Sequence, residues 1–163
     1  MKSVAWGLLI TFLSLILIMP IVEMANVMRE KILIGAALTN ACRAARDLSL
    51  QYEDHRNIDA VLDVDEFVQH FARSFEDALG LTAIDVSGTT LEFSSVSGAF
   101  NNITVNLSFN AGTGSDQRAF TVVRMTAQTP YKFKTKLMQL TESATGIEYE
   151  MRSERLLLVQ IVN

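Results

Sequence analysis

The distribution of apolar and charged positions divides the chain at its first acidic residue. From Val4 to Val22, 19 consecutive residues carry no charge (VAWGLLITFLSLILIMPIV). As a helix this run spans ~28 Å, close to the hydrocarbon thickness of a bilayer. It is apolar on every face, which argues against an amphipathic core helix and for a membrane span. The run is also longer than the apolar region of a secretory signal. The nearest small-residue cleavage frame, Glu23-Met24-Ala25, sets a glutamate at its first position. An uncleaved anchor is therefore the expectation.

Helical spacing continues beyond the anchor. Between Met24 and Leu50 there is no proline and a single glycine, Gly35. Met24, Val27, Ile34, Leu38, Ala41, Ala45 and Leu48 recur at alternating three- and four-residue steps, with Lys31 at one intervening seam position. Small residues are dense here: Gly35, Ala37, Ala41 and Ala45 are the candidate packing positions. Such side chains let another helix, or the chain's own domain, approach the backbone closely. The pattern predicts one helix of about 45 residues, on the order of 70 Å long. Pro20 lies inside it, where the lost hydrogen bond and the ring's clash with the preceding turn predict a kink. Residues 1–50 are thus assigned to anchor and stalk.

Residues 51–163 read as an α+β head. The charged stretch 51–62 is a connector. Asp63 followed by Glu66 fits a capping box. Val64, Phe67, Val68, Phe71, Phe75, Ala78 and Leu79 then form a helical stripe, stopped by Gly80. Period-2 alternation follows, in Leu91 and Phe93, in Ile103 to Phe109, and in Arg118 to Thr126. Ile84 and Val86 suggest a further strand start. The loop Asn110–Asp116 makes a hairpin of the two longer runs. Tyr131 and Phe133 alternate with Lys132 and Lys134, and Ile147, Tyr149 and Met151 with Glu148, Glu150 and Arg152, before an apolar run from Leu156 to Val162. An antiparallel sheet with one face covered by the 63–79 helix buries these stripes. The predicted class is α+β: a long N-terminal transmembrane and stalk helix, then a small antiparallel-sheet head with one packed helix.

Charge and cysteine content narrow the function. The chain is 49% hydrophobic with a net charge of −4, and residues 1–22 carry only Lys2. No segment is strongly basic, which disfavours nucleic-acid binding. Cys42, the single cysteine, excludes an intramolecular disulfide. Lys2 on one flank of the span and Arg29 and Lys31 on the other leave orientation open by charge.

The residues able to carry chemistry are few. Glu23 is the first charge after the anchor. It either pairs with a cation on a neighbouring subunit or marks the water boundary. Cys42 fits a small buried side chain better than a reactive thiol. His55 and His70 lie in different elements with no second ligand at metal spacing. Asp63 and Asp65 lack the rest of a calcium loop and suit helix capping. Gly112 and Gly114 carry no phosphate-loop lysine and suit a turn. Lys132, Lys134 and Lys136 share one face of an extended segment, where they protect a sheet edge, or meet an acidic partner or lipid headgroups. No catalytic, cofactor or metal constellation is present, and no small-molecule substrate is evident. A structural subunit is the first expectation. A membrane-tethered binding domain with a pocket between helix 63–79 and the sheet is the second, and an anchored enzyme the third.

The N-terminal third resembles the TadE-like pseudopilins of tight-adherence (type IVc) pilus systems. The matching residues are Pro20 ending the membrane run, Glu23 shortly after, and the alanine- and arginine-containing stretch Asn40-Ala41-Cys42-Arg43-Ala44-Ala45-Arg46. A strand and turn, Thr121 to Met125 and Thr129-Pro130-Tyr131, is loosely similar. The likeness covers about 30 residues of 163. Processed members carry a glycine cleavage site with glutamate five residues into the mature chain; counted from Gly7, that residue here is Phe12. The resemblance implies a pilin-like fold, a cytoplasmic N-terminus and a head outside the membrane. It further implies a role in assembling, priming or capping a filament, with the lipid bilayer, other pilin or pseudopilin subunits and the assembly machinery as partners.

Overall fold

The computed structural model describes residues 2–53, 62–113 and 119–160. Helix α1 (Lys2–Glu53) runs 52 residues without interruption, through Pro20, a length of ~78 Å. It has two environments. Val4, Trp6, Leu8, Phe12 and Leu17 are exposed, whereas Ile34, Ala37, Leu38, Ala41, Cys42 and Ala45 are buried. The anchor is long and apolar enough to cross a membrane. The segment expected to form a stalk is instead core of the head. Its seam divides accordingly: Ile34, Leu38, Ala41 and Ala45 are buried, while Met24 and Leu48 stay exposed.

Helix α2 (Val64–Leu79) begins where the sequence places it. Asp63 Oδ1 accepts from the amides of Asp65 at 2.9 Å and Glu66 at 3.0 Å, satisfying two donors the helix cannot satisfy itself. Gly80 ends the helix at φ 64°, with its N–H donating to the Glu76 carbonyl; that left-handed conformation suits a residue without a Cβ. Phe67, Val68, Phe71, Ala72 and Phe75 form the buried stripe.

The strands are β1 (Leu81–Ser87), β2 (Thr90–Ser95), β3 (Ile103–Thr113), β4 (Ala119–Pro130) and β5 (Glu150–Gln160), with helix α3 (Lys136–Thr145) between the last two. They form one antiparallel sheet in sequential order. Leu91, Phe93, Ile103, Val105, Leu107, Val123, Met125, Ala127 and Met151 point inward and are buried. The opposite face is polar around Glu154, which Arg124 and Arg152 flank at 3.5 and 3.8 Å, and carries exposed Leu156 and Leu158 toward the far end of β5. One dry face and one wet face is what period-2 alternation demands. The dry face carries a helical layer: α1 lies against β5 and β4, α2 against β1 and β2, and the two helices against each other. Ring contacts Phe75–Phe93 at 5.1 Å and Phe67–Phe109 at 5.4 Å join α2 to the sheet.

Four local expectations change. Asn110 to Thr113 belong to β3 rather than to a loop, paired with Val122 to Ala119. A Cβ on Gly112 would lie 2.7 Å from the Phe120 ring, so this glycine serves a close cross-strand approach rather than a turn; Gly114 lies outside the described residues. Tyr131 to Lys134 are not a strand, because Pro130 closes β4, and the three lysines therefore guard no sheet edge. Ile147 and Tyr149 precede β5 and are exposed; only Met151 of that alternation is buried. The connector loses its first residues to α1, which extends to Glu53, and its remainder to Val61, with His55, lies outside the described residues. Helix α3 has no counterpart in the sequence expectations.

Candidate functional site

The most constrained polar group is Glu23, placed by α1 one residue beyond the apolar run and 3% exposed. Two backbone amides converge on it. Lys134 N–H donates to Oε1 at 2.7 Å and Thr135 N–H to Oε2 at 3.2 Å. The donors come from the segment between β4 and α3, some 110 residues away in sequence; Thr135 is the N-cap of α3, with no capping bond from its own side chain. The hydroxyls of Tyr131 and Thr135 are buried against the same carboxylate without completing a bond of standard geometry. Burial pushes the Glu23 carboxyl pKa up. The Lys134 amide, the two hydroxyls and the Thr135 amide together outweigh that effect, and the net direction is downward from 4.5. The group is therefore an anion held by oriented donors. Tyr131 shifts upward, by burial first, then by the closeness of the Glu23 carboxylate and the charge of Glu30.

The lysines complete this junction. Lys134 Nζ sits 3.0 Å from Glu30 Oε1 on α1 and donates to the Ala99 carbonyl at 2.9 Å. Lys132 Nζ donates to the Gly98 carbonyl at 3.0 Å. They strap the β2–β3 loop and α1 to the end of the sheet. Chemically the site is a latch: a carboxylate satisfied by two backbone amides, with the Tyr131 and Thr135 hydroxyls buried beside it. Among the described residues, no three His, Cys, Asp or Glu side chains gather at metal-binding distance. His70 Nε2 lies 3.6 Å from Glu66 Oε1, one turn back along its own helix.

The other singled-out positions lie elsewhere. Pro20 is exposed on α1 within the apolar segment. Gly35, Ala37, Ala41 and Ala45 face the chain's own head. The Arg155 guanidinium from β5 lies across Gly35, where a Cβ would displace it, and the three alanines are buried in the common core. Of the two uses open to small residues, close approach of the chain's own domain is the one observed. Cys42 is buried in the same core; burial pushes its thiol up to about 12, with Arg46 pulling weakly the other way. We expect a maleimide reagent to leave Cys42 unmodified in the folded protein at pH 8 and to label it fully in denaturant; mass spectrometry reads the difference.

One feature of α1 is absent from the sequence expectations. Met24, Met28 and Ile32 are 60%, 54% and 67% exposed, and Ala36 beyond them is exposed too. They form a four-residue-step ridge directly above the apolar run. The i, i+4 signal was present in the sequence, but the competing three-four seam through Ile34 and Leu38 masks it. The chain matches no family model, no curated protein and no solved structure.

Proposed function

We propose that this chain is a membrane-anchored, pilin-like structural subunit, a minor pilin or pseudopilin of a tight-adherence type pilus or a related secretion filament. Its N-terminus is cytoplasmic and its head extracytoplasmic. The observation that carries this reading is the uncovered ridge Met24-Met28-Ile32-Ala36, continuous with an apolar rod that is left exposed by all the described residues. Covering Met28 or Ile32 fully is worth on the order of 1.5–3 kcal/mol each. Within the bilayer, van der Waals packing of neighbouring helices extends the same contact. The space where a tethered binding domain would hold a ligand, between α2 and the sheet, is filled by Phe67, Phe71, Phe75 and Phe93.

The test is disulfide trapping in native membranes, with Met28→Cys or Ile32→Cys in a Cys42→Ala background. The proposal predicts disulfide-linked species from these sites, either two copies of this chain or this chain joined to a pilin-like subunit given a cysteine on its own N-terminal helix. It predicts none from Ser108→Cys on the wet face of the sheet. Equal trapping from both faces, or none from the ridge, contradicts lateral packing through α1.

A further inference from the structure

The segment between β4 and β5 is an excursion whose two ends are fixed at one level of α1. At its start, the Lys134 and Thr135 amides bind the Glu23 carboxylate. At its end, the Tyr149 carbonyl accepts from Tyr131 N–H at 2.7 Å, and Tyr131 itself is buried against Glu23. Pro130 and Glu150 pair as the last rung of the sheet. Both ends therefore stand beside the residue that follows Val22, where the apolar run stops.

Helix α3 occupies this excursion. It buries none of its residues and packs along neither α1, α2 nor the sheet. A helix of 10 residues is marginal by itself in water. Leu137, Leu140, Thr141 and Ala144 nevertheless fall at i, i+3, i+4 and i+7, one apolar-leaning face. Leu140 and Ile147 are 66% and 70% exposed, and Tyr149 is half exposed. Lys136, Gln139 and Glu142 lie off that face. Short amphipathic helices of this kind gain stability by laying the apolar side at the boundary between headgroups and acyl chains, where tyrosine rings also concentrate.

We propose that α3, with Ile147 and Tyr149, is a membrane-interface foot. It lies on the leaflet from which α1 emerges, with Leu137 and Leu140 inserted among lipids. The occupant of this face is lipid, because the Glu23 latch sets the first turn of α3 beside the end of the span. The proposal rests on the membrane anchoring of residues 4–22. With α1 fixed at Glu23 and the foot on the surface, the head stands at a set tilt and rotation over the bilayer.

The experiment uses the full chain, Cys42→Ala, reconstituted in phosphatidylcholine–phosphatidylglycerol vesicles. An environment-sensitive fluorophore is placed at Leu140→Cys, Leu13→Cys or Ser108→Cys, and lipids carry a nitroxide either shallow or deep in the acyl chain. Leu140 is exposed, so the label leaves the head folded, and an unchanged thermal transition by circular dichroism verifies it. The foot predicts about twofold or greater loss of emission at Leu140 with the shallow nitroxide, loss at Leu13 with the deep one, and none at Ser108. Quenching at Leu13 without quenching at Leu140 overturns the foot and leaves the anchor standing. Absence of quenching at both positions removes the anchor and the foot together. An unquenched Leu140 that instead forms a disulfide between two chains shows that a second copy covers α3, and overturns the lipid assignment.

Discussion

A fragment comprising residues 51–163 is expected not to fold, while one comprising residues 23–163 folds cooperatively. The difference lies in what α1 contributes. Ile34 and Leu38 are buried, as are Ala37, Ala41, Cys42 and Ala45. Burial of the two large side chains alone is worth about 3–6 kcal/mol, against a net stability of about 5–15 kcal/mol for an ordinary domain. Removing the helix also uncovers the inner side chains of β4 and β5 and one side of α2, all of which α1 covers. Circular dichroism and amide chemical-shift dispersion measure the outcome. A cooperative urea transition for 51–163, of the same midpoint as for 23–163, would show that the helix is an appendage rather than core.

The second large effect is expected at Glu23. In Glu23→Gln one acceptor oxygen becomes a donor facing a backbone N–H. A charge-assisted hydrogen bond to a buried group contributes roughly 1.5–3 kcal/mol. Hydrogen exchange at the Lys134 and Thr135 amides, in the full chain in nanodiscs, is expected to accelerate by about one to two powers of ten, on the scale of 1.4 kcal/mol per decade. The pH dependence has a definite sign. The carboxyl of Glu23 has its pKa lowered in the folded protein relative to 4.5. Its contribution is therefore complete above that value and is lost as pH falls through the lower folded pKa. Protection of the two amides is expected to be flat from pH 7 to about pH 5 and to drop at more acidic pH in the native sequence, with no such drop in Glu23→Gln. A pH-independent protection in both proteins would remove the ionised carboxylate from the account.

These two effects also mark where the sequence was legible. The long apolar N-terminal helix, the capped α2 and the β3–β4 pairing were readable because each is specified locally: by an uncharged run, by Asp63 and Gly80, and by period-2 alternation. The seam Ile34-Leu38-Ala41-Ala45 was equally visible as a helical stripe. What it packs against was not, since a small-residue face suits a neighbouring helix and a β-sheet alike. Glu23 stood out as the first charge, yet its partners are backbone amides of Lys134 and Thr135. Backbone donors carry no residue signature, and the separation in sequence hides the contact. Helix α3 carries little signal in the sequence for a related reason. Its face of Leu137, Leu140, Thr141 and Ala144 is short and half polar, and Tyr131 to Lys134 before it imitates a strand until Pro130 is seen to end β4.

The central claim is that one helix serves two media, with residues 4–22 in lipid and residues 34–49 in the core of the head. Flotation of the full chain on a density gradient with vesicles, followed by limited proteolysis, tests it most directly. The account predicts that the chain floats with lipid. With a protease site inserted between Glu53 and Leu62, the first cut should leave α1 and the 62–163 portion together on the vesicles until denaturant separates them. Recovery of the intact chain as a lipid-free monomer, or release of the 62–163 portion by the first cut without denaturant, would contradict it.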